Sequence, residues 1–159
     1  MKKILLFITL VTLTSCSGKA QQKTKDLNKV YKVTKTESEW RSILTEMEFY
    51  VLREAGTERA FSSDLNKNYK KGIYVCAACQ TPLFKSEHKF DSGTGWPSFD
   101  REIEGNVEYS VDYDIGYARS EEHCATCGGH LGHVFNDGPK NTTGKRHCIN
   151  GAALDFIPE

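Results

Sequence analysis

The hydrophobic positions of this chain change period once, near residue 72. Upstream, Trp40, Ile43, Leu44, Met47 and Val51 recur at the spacing that lines one face of a helix. Thr36-Glu37-Ser38-Glu39 precedes them as a capping box, with Thr36 at the N-cap and Glu39 at the third helical position. The pattern predicts a helix over about residues 37 to 53, with those apolar side chains in the core. Ala55 to Lys71 is polar and rich in turn formers. From Gly72 the pattern turns β-like: Ile73-Tyr74-Val75 leads into Cys76. Val107, Tyr109, Val111 and Tyr113 then alternate with Glu108, Ser110 and Asp112, as in a half-buried strand. Ile115 to Arg119 reads as its hairpin partner after a corner at Asp114, and His147 to Leu154 as a further strand. Gly and Pro punctuate the stretches between. The fold expected is mainly β and antiparallel, with helix at its N-terminal edge.

The N-terminus departs from both periods. Met1-Lys2-Lys3 is a short basic region, and Ile4 to Leu13 is an apolar run too short to span a bilayer. Leu13-Thr14-Ser15-Cys16 resembles a bacterial lipobox, in which the signal is cut before the cysteine and the cysteine is acylated. The alternative is an ordinary signal peptide in which Cys16 is incidental. Ser17 to Lys35 is polar, carries six lysines and shows no apolar period, so it reads as a solvated linker. The organisation expected is a lipoprotein signal peptide over 1–15, a lipid-anchored polar tether over 16–35 and a folded domain over 36–159. That places the protein in the cell envelope, anchored to a membrane and facing the periplasm or exterior.

Charge narrows the partners. The 159 residues hold 21 Lys+Arg against 21 Asp+Glu, so no global field points to nucleic acid or to an acidic substrate. A domain this small leaves much of its chain exposed, and an added staple would help it.

The cysteines supply a candidate staple. Cys76-Ala-Ala-Cys79 and Cys124-Ala-Thr-Cys127 are two C-x-x-C knuckles, each presenting two thiolates on one tight turn. Two such turns complete a tetrahedron suited to zinc. Two disulfides or a redox dithiol are the competing readings, and export to an oxidising compartment favours disulfides. A two-residue spacer closes a strained disulfide with little loop entropy to gain, however, which favours zinc in a closed structural site.

Six cysteines, less four in the clip and one in the lipobox, leave Cys148. An unpaired cysteine is either a small buried hydrophobe or a reactive thiol. On a strand, Arg146 and Asn150 would share its face, and a fixed cation there would favour thiolate. His130-Leu-Gly-His133 offers two imidazoles suited to proton transfer, although either could be a structural residue or a zinc ligand. Gly93-Thr94-Gly95-Trp96-Pro97-Ser98-Phe99 is a loop that presents a large indole, either as plain core or as an aromatic wall for a thioether or sulfoxide methyl.

Together these stretches resemble the peptide-methionine (R)-S-oxide reductase (MsrB) family. The resemblance is carried, in the family's order, by Gly56-Thr-Glu-Arg-Ala-Phe61, Gly72-Ile-Tyr-Val-Cys-Ala-Ala-Cys79, Ser92-Gly-Thr-Gly-Trp-Pro-Ser-Phe99, His130-Leu-Gly-His-Val-Phe-Asn-Asp-Gly-Pro139 and Arg146-His-Cys-Ile-Asn150. It covers about residues 37 to 158. It implies two antiparallel sheets, with a four-cysteine structural zinc site of Cys76, Cys79, Cys124 and Cys127 away from the active site. It implies that Cys148 attacks the sulfoxide sulfur, and that His133 and His130, with Asn150, hold water and protonate the departing oxygen. Arg146 would support the thiolate. Trp96 would pack against the substrate methyl, with Phe99 also on the substrate side. The products would be methionine and a Cys148 sulfenic acid that thiols reduce.

The chain also departs from the pattern. Thr94 stands where many members carry a resolving cysteine, which implies a one-cysteine enzyme that meets an external thioredoxin-like reductant directly. Asn136 stands where proline is usual, His147 where tyrosine or phenylalanine is usual, and Gly151 where serine is usual. These put fine tuning in doubt, and His147 could alter the pH profile. The partners expected are oxidised proteins as substrate, the reductant and a membrane, with no nucleic acid, for a monomer. The alternative is a non-catalytic zinc module that binds protein or nucleic acid. Such a module would not need Cys148, His133 and Trp96 together.

Overall fold

The computed structural model describes residues 29–159. The apolar run, Cys16 and most of the tether lie outside the described residues. The part of the tether that is described packs against the domain, ahead of the boundary expected at Thr36. Val33 donates its backbone N–H to Thr126 at 3.0 Å. Tyr31 lies so close over Gly128 that a Cβ there would meet its ring at 2.4 Å. Among the described residues no helix is long and apolar enough to cross a membrane.

The single helix expected from the spacing is two helices, α1 (Glu37–Ile43) and α2 (Glu46–Glu54). Leu44 breaks them with an extended backbone. Each helix has its own capping box, Thr36 with Glu39 and Thr45 with Glu48. Caps of this kind satisfy N–H groups that would otherwise lack partners and stabilise by about 1 kcal/mol each. The break changes which residues face the core. Trp40, Leu44 and Val51 are buried as expected, and Phe49 and Leu52 join them. Ile43 and Met47, expected in the core, are 54% and 48% exposed.

The strands form two antiparallel sheets. In the smaller, β1 (Gly72–Cys76) lies between β2 (Pro82–Lys85) and β9 (Leu154–Pro158). The larger contains β3 (Lys89–Phe90), β4 (Ser98–Phe99), β5 (Val107–Asp112), β6 (Arg119–Cys124), β7 (His130–Phe135) and β8 (Arg146–Ile149). Their order across it is β3-β4-β8-β7-β6-β5. The stretch His147 to Leu154 is therefore not one strand. β8 ends at Ile149, a 3-10 turn covers Gly151–Ala153, and the chain crosses to the small sheet as β9. The hairpin return also begins later than the pattern suggested, because β6 starts at Arg119 and Ile115 lies in the turn.

Tyr74, Phe84, Phe99, Leu83, Leu131 and Ile149 fill the space between the sheets. Phe84 and Phe99 stack at 4.4 Å, and Tyr74 meets Phe99 edge-on at 4.9 Å. Burying each such ring stabilises by about 2–3 kcal/mol. In β5 the alternation is real but reversed in sense. Tyr109 and Val111 point outward, 50% and 58% exposed, while Asp112 is 2% exposed. The polar face of this edge strand is the inward one because it faces the site described next.

Candidate active site

The two C-x-x-C turns meet. Cys76 ends β1 and Cys79 follows it, while Cys124 ends β6 and Cys127 follows it. The Sγ atoms of Cys76 and Cys127 are 3.7 Å apart, those of Cys79 and Cys124 3.5 Å, and all four lie within 4.8 Å of one another. None of the four is in a disulfide. Sulfurs on a tetrahedron around zinc, at about 2.3 Å each, would stand roughly 3.75 Å apart. The four thiols are therefore close enough to hold one metal ion, and they join the small sheet to the large one.

Cys148 is in the middle of β8, between Ser98 on β4 and His133 on β7. Registers carry the row onward from His133 to Glu121 and from Glu121 to Ser110. Directly opposed residues of antiparallel strands share a face, so this row points to one side of the sheet. Gly132 makes the close packing of β7 on β8 possible, since a Cβ there would sit 2.1 Å from the Cys148 carbonyl oxygen.

Carboxylates set the imidazoles. His133 Nε2 donates to Asp112 Oδ2 at 2.8 Å, and His130 Nδ1 donates to Glu121 Oε1 at 2.6 Å. An ionised carboxylate only accepts, so in the neutral form of each ring the other nitrogen carries the lone pair. Asp112 also accepts from Arg119 at 2.5 Å and from the Asp114 N–H at 2.6 Å. Burial pushes its carboxyl up, but these donors together hold it below the usual range. Burial likewise lowers His133, more than Asp112 raises it, which keeps this imidazole neutral at pH 7.

The thiol itself is pushed up. Burial is the largest cause, and Arg146 and Thr94 act against it without overcoming it. Arg146 falls short because its fork is held by Asp137, Nε to Oδ1 and Nη2 to Oδ2, both at 2.9 Å. Its guanidinium also lies 4.4 Å from the Phe135 ring centroid. Arg146 thus stands beside the thiol with its charge shared, and does not make a resting thiolate.

Thr94 Oγ1 is 3.9 Å from the Cys148 sulfur. Ser92 ties that threonine to Ser98, at 2.8 Å on each side. Trp96 is half-buried, and its Nε1 donates to the Glu58 carbonyl at 3.2 Å. Two expected site residues are placed otherwise. Phe99 is fully buried among Tyr74 and Phe84, so it is core and not part of a substrate wall. Asn150 is buried with its amide committed to backbone: Oδ1 accepts from Glu58 N–H and Nδ2 donates to Leu131 O, both at 3.0 Å. It braces the loops instead of pointing free groups at the thiol. His147 is on the other face, between Glu122 Oε1 at 2.6 Å and Glu102 Oε2 at 3.2 Å.

Sequence reasoning gave no role to Glu58, Asp112, Glu121 or Asp137. Glu58 is the hub of its loop, accepting from the Gly151 N–H at 2.5 Å and the Ala152 N–H at 3.0 Å. Phe61 was also passed over. It is 66% exposed at a positive φ of 64°, and its ring lies over Gly95, next to Trp96. The available signal was the Gly56–Phe61 motif and the acidic residues Glu108 and Asp112 on β5 and Glu121 and Glu122 on β6.

Comparison with known proteins agrees with this geometry. The SelR domain model matches residues 44–158. A peptide methionine sulfoxide reductase MsrB of Chromohalobacter salexigens is 51% identical over 128 residues, covering 80% of this chain and 96% of that protein. The MsrB of Leptospira interrogans is 50% identical over 130 residues, covering 81% and 98%. The mitochondrial methionine-R-sulfoxide reductase B3 of Mus musculus is 48% identical over 128 residues, covering 80% of this chain and 50% of its own. With its two sheets, four-cysteine cluster and Cys148 row, the chain belongs to the SelR domain family, alongside the MsrB peptide methionine sulfoxide reductases.

Proposed function

We propose that this protein reduces the R epimer of methionine sulfoxide in oxidised proteins to methionine, with Cys148 as the nucleophile. The observation that carries this is the row Ser98–Cys148–His133, which sets a thiol opposite an imidazole whose tautomer is held by Asp112. The Cys148 sulfur attacks the sulfoxide sulfur, the S–O bond breaks, and the oxygen ends on Cys148 as sulfenic acid. Oxide is a poor leaving group, so a proton must reach it as the bond breaks. The resting thiol supplies that proton. His133, neutral and with one free lone pair, relays it, and the His130 Nε2 lone pair helps hold water beside it. Trp96 and Phe61 form the wall that takes the substrate methyl and selects the epimer. Sulfur and methyl groups pack well against rings.

Thr94 supplies no second thiol, so an external thioredoxin-like dithiol reduces the sulfenic acid. One of its thiols displaces water to give a mixed disulfide, and the other releases Cys148. The four-cysteine cluster holds a structural zinc ion that stabilises the fold and takes no part in the reaction. Residues 1–15 direct export and Cys16 carries the lipid anchor, which places the domain in the cell envelope. Incubation with racemic methionyl sulfoxide and dithiothreitol tests the activity. The R epimer alone should disappear, and Cys148→Ser should consume neither. Failure of the wild type to turn over would end this reading.

A further inference from the structure

We propose that Glu121, His123 and His130 form a second metal site, for a divalent d-block cation such as zinc, and that filling it removes the His130 Nε2 lone pair from the reaction. The second half rests on the reading that His130 serves the reaction.

The cluster arises from an irregularity in the sheet. Glu122 pairs with Gly132, but His123 pairs with His130, so β7 holds one extra residue at this point. That register shift brings His130 opposite His123, with ring centroids 6.1 Å apart. One carboxylate spans both rings. Glu121 Oε1 is 2.6 Å from His130 Nδ1, and Glu121 Oε2 is 3.4 Å from His123 Nε2. One ligand atom from each residue lies within 4.8 Å of the others. Ligands at about 2.0–2.1 Å around tetrahedral zinc stand roughly 3.4 Å apart, so small side-chain shifts complete the site.

The donor set suits the ion. Two imidazoles and a carboxylate are borderline ligands typical of zinc and its neighbours, and three ligands leave a position open. Ser110 Oγ is at that position's edge, 2.9 Å from His123 Nε2 and 3.2 Å from Glu121 Oε2. The nitrogens that face Glu121 are His130 Nδ1 and His123 Nε2. The outer nitrogens, His130 Nε2 and His123 Nδ1, have no hydrogen-bond partner among the described residues, so no bond there holds either ring against a small shift onto an ion.

An entry path exists. A cleft of about 450 Å³ is lined by Glu121, His123 and His130, with Ser110, Glu108 and Tyr31 on its walls. Cys148 does not line it, so a cation can arrive without crossing the substrate pocket. A cation on His130 Nδ1 leaves the ring's remaining proton on Nε2, so the Nε2 lone pair that holds water beside His133 is lost.

The test uses the full-length chain with one zinc in its four-cysteine cluster. Equilibrium dialysis against micromolar zinc measures stoichiometry. A single turnover on methionyl sulfoxide, with no chelating thiol present, measures the reaction. The wild type should bind a second zinc and slow by roughly tenfold or more. His123→Gln should bind one zinc only and keep its rate in added zinc, whereas Cys148→Ser should keep the second ion. A wild type that stays at one zinc overturns the site. So does a second zinc that survives His123→Gln but is lost in Cys148→Ser, because that ion sits on the catalytic thiol. A second zinc lost in His123→Gln that leaves the wild-type rate unchanged overturns the control, and with it the role of His130.

Discussion

Cys148 and His133 are a directly opposed pair on neighbouring strands, with their side chains on one face of the large sheet. Neither is charged at rest: burial pushes the thiol up and the imidazole down. The pair therefore holds one proton, on sulfur, ready for the sulfoxide oxygen.

That arrangement sets a pH dependence. Only thiolate is alkylated, and a raised thiol delays its appearance. Alkylation of Cys148 by iodoacetamide should still be rising at pH values where an ordinary thiol has levelled off. Arg146 acts against burial, so Arg146→Ala should move the profile further toward alkaline pH. Peptide mass spectrometry across pH reads both. Wild-type labelling that levels off near neutral pH would contradict the assignment.

Thr94 marks where an internal partner is missing. Its Oγ1 is 3.9 Å from the Cys148 sulfur, so a sulfur in its place needs only a modest shift to bond. Thr94→Cys should form an intramolecular disulfide with Cys148 after one turnover, with both thiols lost to labelling. The wild type should form no intramolecular disulfide at Cys148 under the same treatment. Non-reducing digestion distinguishes the two.

Glu58 braces the site from behind. Its carboxylate takes two backbone N–H groups of the Gly151 turn, its own N–H reaches Asn150, and its carbonyl holds Trp96. Glu58→Ala leaves the buried Gly151 N–H and the half-buried Ala152 N–H unpaired, which costs about 2–4 kcal/mol. Urea denaturation should show a loss of that size. Glu58→Gln, which keeps one acceptor, should lose less.

The four-cysteine cluster predicts one zinc per chain by metal analysis. Cys76 and Cys79 leave the small sheet and Cys124 and Cys127 the large one, so losing the ion unclips the two. Chelation, or Cys124→Ser, should cost at least about 3 kcal/mol, or roughly 10 °C in melting temperature for a domain this size. An unchanged melting curve after complete removal would show that the sheets hold without it.

Much of this was legible in the chain, and the failures have physical causes. The knuckles, the strand into Cys76 and the motif around Cys148 are local signals. The helix break was legible too, since Thr45-Glu46-Met47-Glu48 is a second capping box. The apolar spacing ran across it and hid it. The faces of β5 were not legible, because an edge strand over a polar site half-buries Ser110, buries Asp112 and leaves Tyr109 and Val111 outside. Phe99 and Asn150 were misplaced for a related reason. Sharing a motif with Trp96 and Cys148 says nothing about which way a side chain points or what has already bonded it.

The most direct test of Cys148 as a lone nucleophile is a single turnover without any thiol. Reduced protein is mixed with R-sulfoxide peptide, and methionine and Cys148 oxidation are counted together. The expected result is one methionine per chain, with Cys148 trapped as sulfenic acid by dimedone and every other described cysteine unchanged. Methionine formed equally by Cys148→Ser, or formed with no oxygen on Cys148, would contradict it.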